Sequence, residues 1–355
     1  MDFSNVPRSP ASEAPPEVVN AFLKFVQQNP SMFMGKQVEL NDLKQAPQHM
    51  YFRCAGCDAP VLSGMEECPS CRRSTNQTLK AGDVLQQRYR IEERMMKTGG
   101  FGNLYTVTDI KEKRPLAMKQ LQHRRQVSDK DRLLFEREGR LLKSFKHHSI
   151  PYFYEAFTIE GAMYLVMERI QGVTLGQYMR LHGAFSEEQV LTLLPQMLEV
   201  LSYLHHLRVP VIHRDVKPGN FMFTEDAHVY LIDFGAATDI QPRTDALGPS
   251  GLPEELTGVF TKGFTPPELF LGMSPMPASD LFALGATVLF LLTARHPFTQ
   301  FEPMSGTYRL DELGVSAGLR PILAKLLALG VADRYQDAEH VLEDLMSAGY
   351  IVPNA

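Results

Sequence analysis

No stretch of this 355-residue chain is long and apolar enough to be read as a membrane span. The most apolar run, Leu281–Ala294, falls short of the roughly twenty residues a bilayer requires and is expected to be a buried helix. The N-terminus pairs no basic start with an apolar run, so no secretory signal is expected and the location is expected to be cytoplasmic. Positive charge is not in surplus either. Lys and Arg number 36 against 41 Asp and Glu, leaving a net charge of −5. Bulk attraction to nucleic acid needs a basic face, so no nucleic-acid partner is expected. Outside positions 54–71 the chain has no cysteine, which excludes a disulfide framework spread along the fold. What is present suffices for a large core: 44% of residues are hydrophobic, and the length suggests two or three domains.

Residues 1–16, with Pro7, Pro10, Pro15 and Pro16 among Ser, Ala and Glu, are expected to form a flexible tail. Residues 17–49 are read as a helix and linker, because Val18, Val19, Phe22, Phe25 and Val26 recur at helical spacing over Glu17–Gln28 before Asn29-Pro30 stops the pattern. Residues 50–75 hold Cys54-Ala-Gly-Cys57, ten intervening residues, then Cys68-Pro-Ser-Cys71. Thiolates two residues apart on a tight turn converge on one ion, and two such pairs complete a tetrahedral Zn²⁺ site. With Cys54, Cys57, Cys68 and Cys71 all as ligands the site is closed, hence structural, and the segment resembles a short zinc ribbon. Between Tyr51 and Lys80 four basic residues meet three acidic ones, too small an excess for phosphate binding. A structural role or a protein partner for the zinc module is expected instead.

The stretch Ile212–Asn220, IHRDVKPGN, carries the chemistry. Phosphoryl transfer needs a carboxylate to orient a hydroxyl, a cation near the moving group, and ligands for Mg²⁺. Asp215 can take the first role, Lys217 the second, and Asn220 can hold a metal. Asp233-Phe234-Gly235, after the apolar run Val229–Ile232, adds a second acidic ligand.

The ordered pair HRDVKPGN and DFG resembles the catalytic and metal loops of the eukaryotic-type protein kinases, and the lysine after the aspartate resembles the Ser/Thr-specific branch. The resemblance covers residues 83–350 and has a bacterial flavour in its compactness. It implies an α+β, bilobal kinase fold, a small β-rich N-lobe and a helical C-lobe, here preceded by the zinc ribbon. It implies MgATP (or MnATP) as cofactor and a protein substrate. By the same resemblance Gly99, Gly100 and Gly102 belong to the phosphate-covering loop, although Lys97 stands where the family has its first glycine. Lys119, in Ala117-Met-Lys119, would meet the α and β phosphates. Its carboxylate partner would come from the helix Ser128–Phe145, with Glu138 aligned and Glu136 as the alternative. Met167 would be the gatekeeper, and the backbone of Glu168 and Ile170 would meet adenine at the hinge. The Pro, Gly and Thr-rich segment after Asp233 resembles an activation loop. There Thr257 is the expected phosphosite, with Thr244 and Ser250 open, Arg214 the expected phosphate partner and Thr261 the contact of the catalytic aspartate. Glu268 is expected to pair with Arg334, and Asp280 to cap the helix from Leu281 while bonding the catalytic-loop backbone. His205 and His206 are expected to face the C-terminal dipole of the helix Ser186–Leu207.

The expected function is therefore a Ser/Thr protein kinase, autophosphorylating, with catalytic residues Asp215, Lys217, Lys119 and Glu138. The alternatives are a pseudokinase and a scaffold recruiting a partner through its zinc ribbon.

Overall fold

The structure is a computed structural model that describes residues 51–53, 60–62, 79–95, 102–121, 129–159, 162–239 and 261–351. The expected tail and N-terminal helix, the four cysteines, Lys97, Gly99, Gly100, and Thr244, Ser250 and Thr257 lie outside them. The described chain falls into two compact units that part after Gln171.

The first unit begins with a hairpin, β1 (Tyr51–Arg53) against β2 (Pro60–Leu62), in which Arg53 faces Pro60. Its main body is a six-stranded antiparallel sheet of β3 (Val84–Leu85), β4 (Tyr89–Arg94), β5 (Asn103–Asp109), β6 (Arg114–Leu121), β7 (Phe153–Ile159) and β8 (Ala162–Glu168), ordered β3-β4-β5-β6-β8-β7. Alternation sets its two faces, because successive strand residues point to opposite sides. Lys119 and Leu165 face each other across β6 and β8, and both look toward helix α1 (Asp129–Ser144). Met118 and Val166, one residue over, look the other way. Gly102 is the one described glycine of its loop, and packing requires it. A Cβ there would sit 2.4 Å from the carbonyl oxygen of Gln120.

The second unit is helical. Strand β9 (Gly172–Thr174) leads into α2 (Leu175–His182), started by a capping box in which Thr174 Oγ1 accepts from the Gln177 N–H and the Gln177 side chain accepts from the Thr174 N–H. Ser186 and Gln189 repeat that arrangement at the start of α3 (Glu187–His205), which runs unbroken through Pro195. Short strands follow: β10 (Val211–Ile212), β11 (Phe221–Thr224), β12 (Val229–Leu231) and β13 (Thr238–Asp239). They form a β12-β11-β9 sheet and a separate β10-β13 pair. After α4 (Pro267–Phe270) comes α5 (Pro277–Thr293), buried along most of its length and packed on α3. A hairpin of β14 (Phe301–Glu302) and β15 (Thr307–Tyr308), then α6 (Leu319–Leu326) and α7 (Ala338–Ser347), complete the unit.

The helix expected from Leu281 starts four residues earlier. Pro277 fits the first turn, where its missing N–H costs nothing, and Ser279 Oγ accepts from the Met276 N–H. Asp280 is thus inside the first turn and does not cap the helix.

Candidate active site

Asp280 is the anchor from which the site is built. A carboxylate buried in an apolar helix must be satisfied by several donors. Its Oδ2 accepts from the His213 N–H at 2.8 Å and from His205 Nε2 at 3.0 Å, and its Oδ1 from the Arg214 N–H at 2.9 Å. These bonds hold Arg214 in a left-handed conformation, φ +66°, that a non-glycine residue rarely adopts. The expected contact of Asp280 with the catalytic-loop backbone is thus observed. His205 is not turned to a helix dipole but is part of this anchor, which corrects the expectation for it. His206 stays at the helix end, where it bonds Ser202 and pairs with Asp337 at 3.1 Å. The sign that could have found His205 was Asp280 itself, an acid among apolar residues in need of donors.

The turn that follows presents Asp215. The Asn220 N–H donates to the Lys217 carbonyl, the Gly176 N–H to the Pro218 carbonyl, and the Ile232 N–H to the Asn220 carbonyl. The loop is thereby tied to α2 and to the end of β12. Asp215 Oδ1 accepts from Thr261 Oγ1 at 2.7 Å and Lys217 Nζ at 2.9 Å, while Oδ2 accepts from Asn220 Nδ2 at 2.8 Å and lies 2.7 Å from Lys217 Nζ. Thr261 is presented by a turn in which its carbonyl accepts from Phe264 N, Thr265 N and Thr265 Oγ1. That turn needs Gly263: its φ is +84°, and a Cβ there would lie 2.4 Å from His296 Cε1.

Asp233 follows β12 with φ +64°. The buried Phe234 ring packs edge-on to His213, centroids 5.0 Å apart. Burial holds the His213 imidazole below the ordinary histidine pKa despite the opposing pull of Asp280, Asp215 and Asp233, so it is neutral near pH 7. Because the Asn220 amide nitrogen is spent on Asp215, its Oδ1 is the atom left for a ligand. With the Asp233 carboxylate this offers oxygen donors, the set that suits Mg²⁺.

In the first unit Lys119 Nζ meets both carboxylate oxygens of Glu138, at 2.7 and 2.8 Å. Glu138 is buried on α1, whereas Glu136 is exposed. Met167 and Glu168 end β8, and Ile170 lies in the following coil. The Glu168 N–H is spent on the Tyr152 carbonyl at 2.8 Å. The structure thus brings Asp215, Lys217, Asn220 and Thr261 together, and separately Lys119 and Glu138.

Comparison with known proteins agrees with this arrangement. The family model "Protein kinase domain" matches residues 91–320. "Serine/threonine-protein kinase F" of Synechocystis sp. is 33% identical over 295 residues, covering 78% of this chain but only 56% of that relative. "Probable serine/threonine-protein kinase YbdM" of Bacillus subtilis is 31% identical over 271 residues, covering 76% of this chain and 93% of its own. A solved structure titled "PpkA-294 apo form" shares the fold, with a TM-score of 0.61 at 23% identity over 76% of this chain and all of that one.

Proposed function

This chain belongs to the protein kinase family, and on that premise we propose that it transfers the γ-phosphoryl group of ATP to Ser and Thr hydroxyls of a protein, its own included. The observation that carries the reading is the Asp215 carboxylate held by Lys217, Asn220 and Thr261. A carboxylate so oriented accepts the proton of an attacking hydroxyl as the oxygen bonds to the γ-phosphorus and the bond to the leaving ADP oxygen breaks. Lys217, beside it, stabilises charge on the moving group. Lys119, steered by Glu138, positions the α and β phosphates. Asn220 and Asp233 would hold Mg²⁺, which when bound neutralises the charge on the phosphate oxygens. Gly99, Gly100 and Gly102 cover the phosphates, and Met167, Glu168 and Ile170 receive adenine. Thr257 is the phosphosite, with Arg214 as its partner.

In Asp215→Asn, phosphoryl transfer to a Ser-containing peptide falls at least about a hundredfold, roughly 2.7 kcal/mol of barrier, while nucleotide affinity stays near the parent's. Activity within tenfold of the parent refutes the assignment.

A structural Zn²⁺ on Cys54, Cys57, Cys68 and Cys71, in a cytoplasmic protein, completes the proposal. Its support is the paired CxxC spacing and the β1–β2 hairpin, which closes the loop carrying the first pair. Elemental analysis should find one zinc per chain, lost in Cys54→Ser and Cys68→Ser variants. Metal-free protein with all four thiols reactive removes it.

A further inference from the structure

The face of the six-stranded sheet turned away from α1 is built as an interior. Its register sets Ile91 beside Val107, Val107 beside Leu116, Tyr105 beside Met118 and Met118 beside Val166, and none of these side chains is more than 2% exposed. At one end the polar groups satisfy one another as they do inside proteins. Asn103 Nδ2 donates to Gln120 Oε1 and to the Tyr105 hydroxyl, and Gln120 Nε2 donates to the Tyr164 hydroxyl, with Asn103 and Gln120 both buried. Helix α1 does not cover this face, since Glu138 and Gly139 approach Lys119 and Leu165 on the other. Among the described residues, the partly buried side chains packed against it come from the sheet's own strands, except Leu79. A single layer of side chains on a sheet surface does not reach zero exposure unaided.

We propose that residues 41–78, the segment carrying the four cysteines, cap this outer face, so that the cysteine module and the kinase sheet share one apolar core. Three observations name this occupant. The described chain re-enters on the face itself, where Leu79 packs against it. The residues immediately before Leu79 must therefore start from that surface. The β1–β2 hairpin belongs to the same compact unit as the sheet, a unit that begins at Asn41. The chain on the far side of Leu79 is also long enough to form a layer, whereas residues 80–85 are committed to the sheet edge, with the Gly82 N–H donating to the Ile91 carbonyl and the Ile91 N–H to the Asp83 carbonyl. The inference does not depend on the chain's catalytic activity. It turns the zinc module from an appendage into part of the first unit's core. Uncovered, this face would be an apolar patch of the kind that drives association.

The test uses the full-length chain with the photoreactive residue p-benzoylphenylalanine in place of Phe157, or in a second variant Leu85, each partly buried at the border of the face. Irradiation should cross-link both positions to peptides from residues 41–78. Cross-links to a second copy, to residues 1–40 or to residues 172–355 overturn the proposal. So does the absence of any cross-link in a variant that still melts cooperatively near the parent temperature; should one variant fail to fold, the other decides. In the unaltered chain Met118 should oxidise with dilute peroxide at least about tenfold more slowly than the fully exposed Met304. Equal rates also overturn it.

Discussion

Glu268 and Arg334 form an ion pair that water does not reach: both side chains are 0% exposed, and two parallel bonds of 2.8 Å join them. Glu268→Gln keeps the shape but removes the charge, leaving a guanidinium buried without its counter-ion. Breaking such a pair costs about 3–5 kcal/mol, and since a glutamine oxygen can still accept one of the two bonds, the lower end applies. For a domain of this size about 3 kcal/mol lowers the melting temperature by about 6–12 °C. Replacing both partners with apolar residues is often neutral elsewhere. Here it is not, because Arg334 has further duties. Its Nε donates to the Ala328 carbonyl at 2.6 Å and its Nη2 to the Leu329 carbonyl at 2.9 Å, and the guanidinium lies 4.7 Å from the centre of the Phe282 ring. Each buried carbonyl orphaned costs about 1–3 kcal/mol, so Glu268→Leu with Arg334→Met should remain about 2–6 kcal/mol below the parent. Arg334→Met alone should be worse still, since it also strands the carboxylate. Urea titrations of the parent, Glu268→Leu, Arg334→Met and the double variant give a double-mutant cycle. A Glu268→Gln protein melting within 2 °C of the parent, or a double variant as stable as the parent, would refute the reasoning.

Asp280→Asn must turn an amide NH₂ toward at least one of the donors now bound by the carboxylate, a loss of about 1–3 kcal/mol in stability. Because Arg214 then loses its restraint, phosphoryl transfer measured well below the melting temperature should fall as well; an unchanged rate counts against the anchoring role. For His213 the sign follows from its depressed pKa. The unfolded chain takes up a proton near the ordinary histidine value of 6.5 while the folded one does not, so this residue's contribution is intact above that pH and is lost as pH falls toward the folded value. Thermal melts from pH 7.5 to 5.5 should show a steeper fall for the parent than for His213→Phe, and parallel curves would exclude the effect.

Much of the local structure was legible because its signals are local. The alternation at Tyr89 and Ile91, the apolar stripe of α3 and the run of α5 each match an element of the expected type. Glu268 with Arg334, and Thr261 with Asp215, were found from sequence order within motifs. Glu138 was legible as well: it lies two positions from Glu136 and so faces the other way on a helix, and it is the one that meets Lys119. What escaped depends on long-range packing. The partnership of His205 with Asp280 spans 75 positions and leaves no periodic trace. Two-residue strands such as β14 and β15 carry too little pattern to be read as strands, and the apolar face around Met118 looks in sequence like any half-buried sheet surface.

The distance between Arg214 and its anchor also bears on how the protein is made. A bond across 66 residues cannot form until Asp280 has been synthesised, and at about 5–20 residues per second that is about 3–13 s after Arg214 itself. Through that interval the Asp280 bonds that fix the left-handed turn before Asp215 are missing. The nascent chain can thus pair β11 with β12 and wind α3 while its phosphoryl-transfer loop is still unset, and the loop takes its shape only when α5 closes against α3.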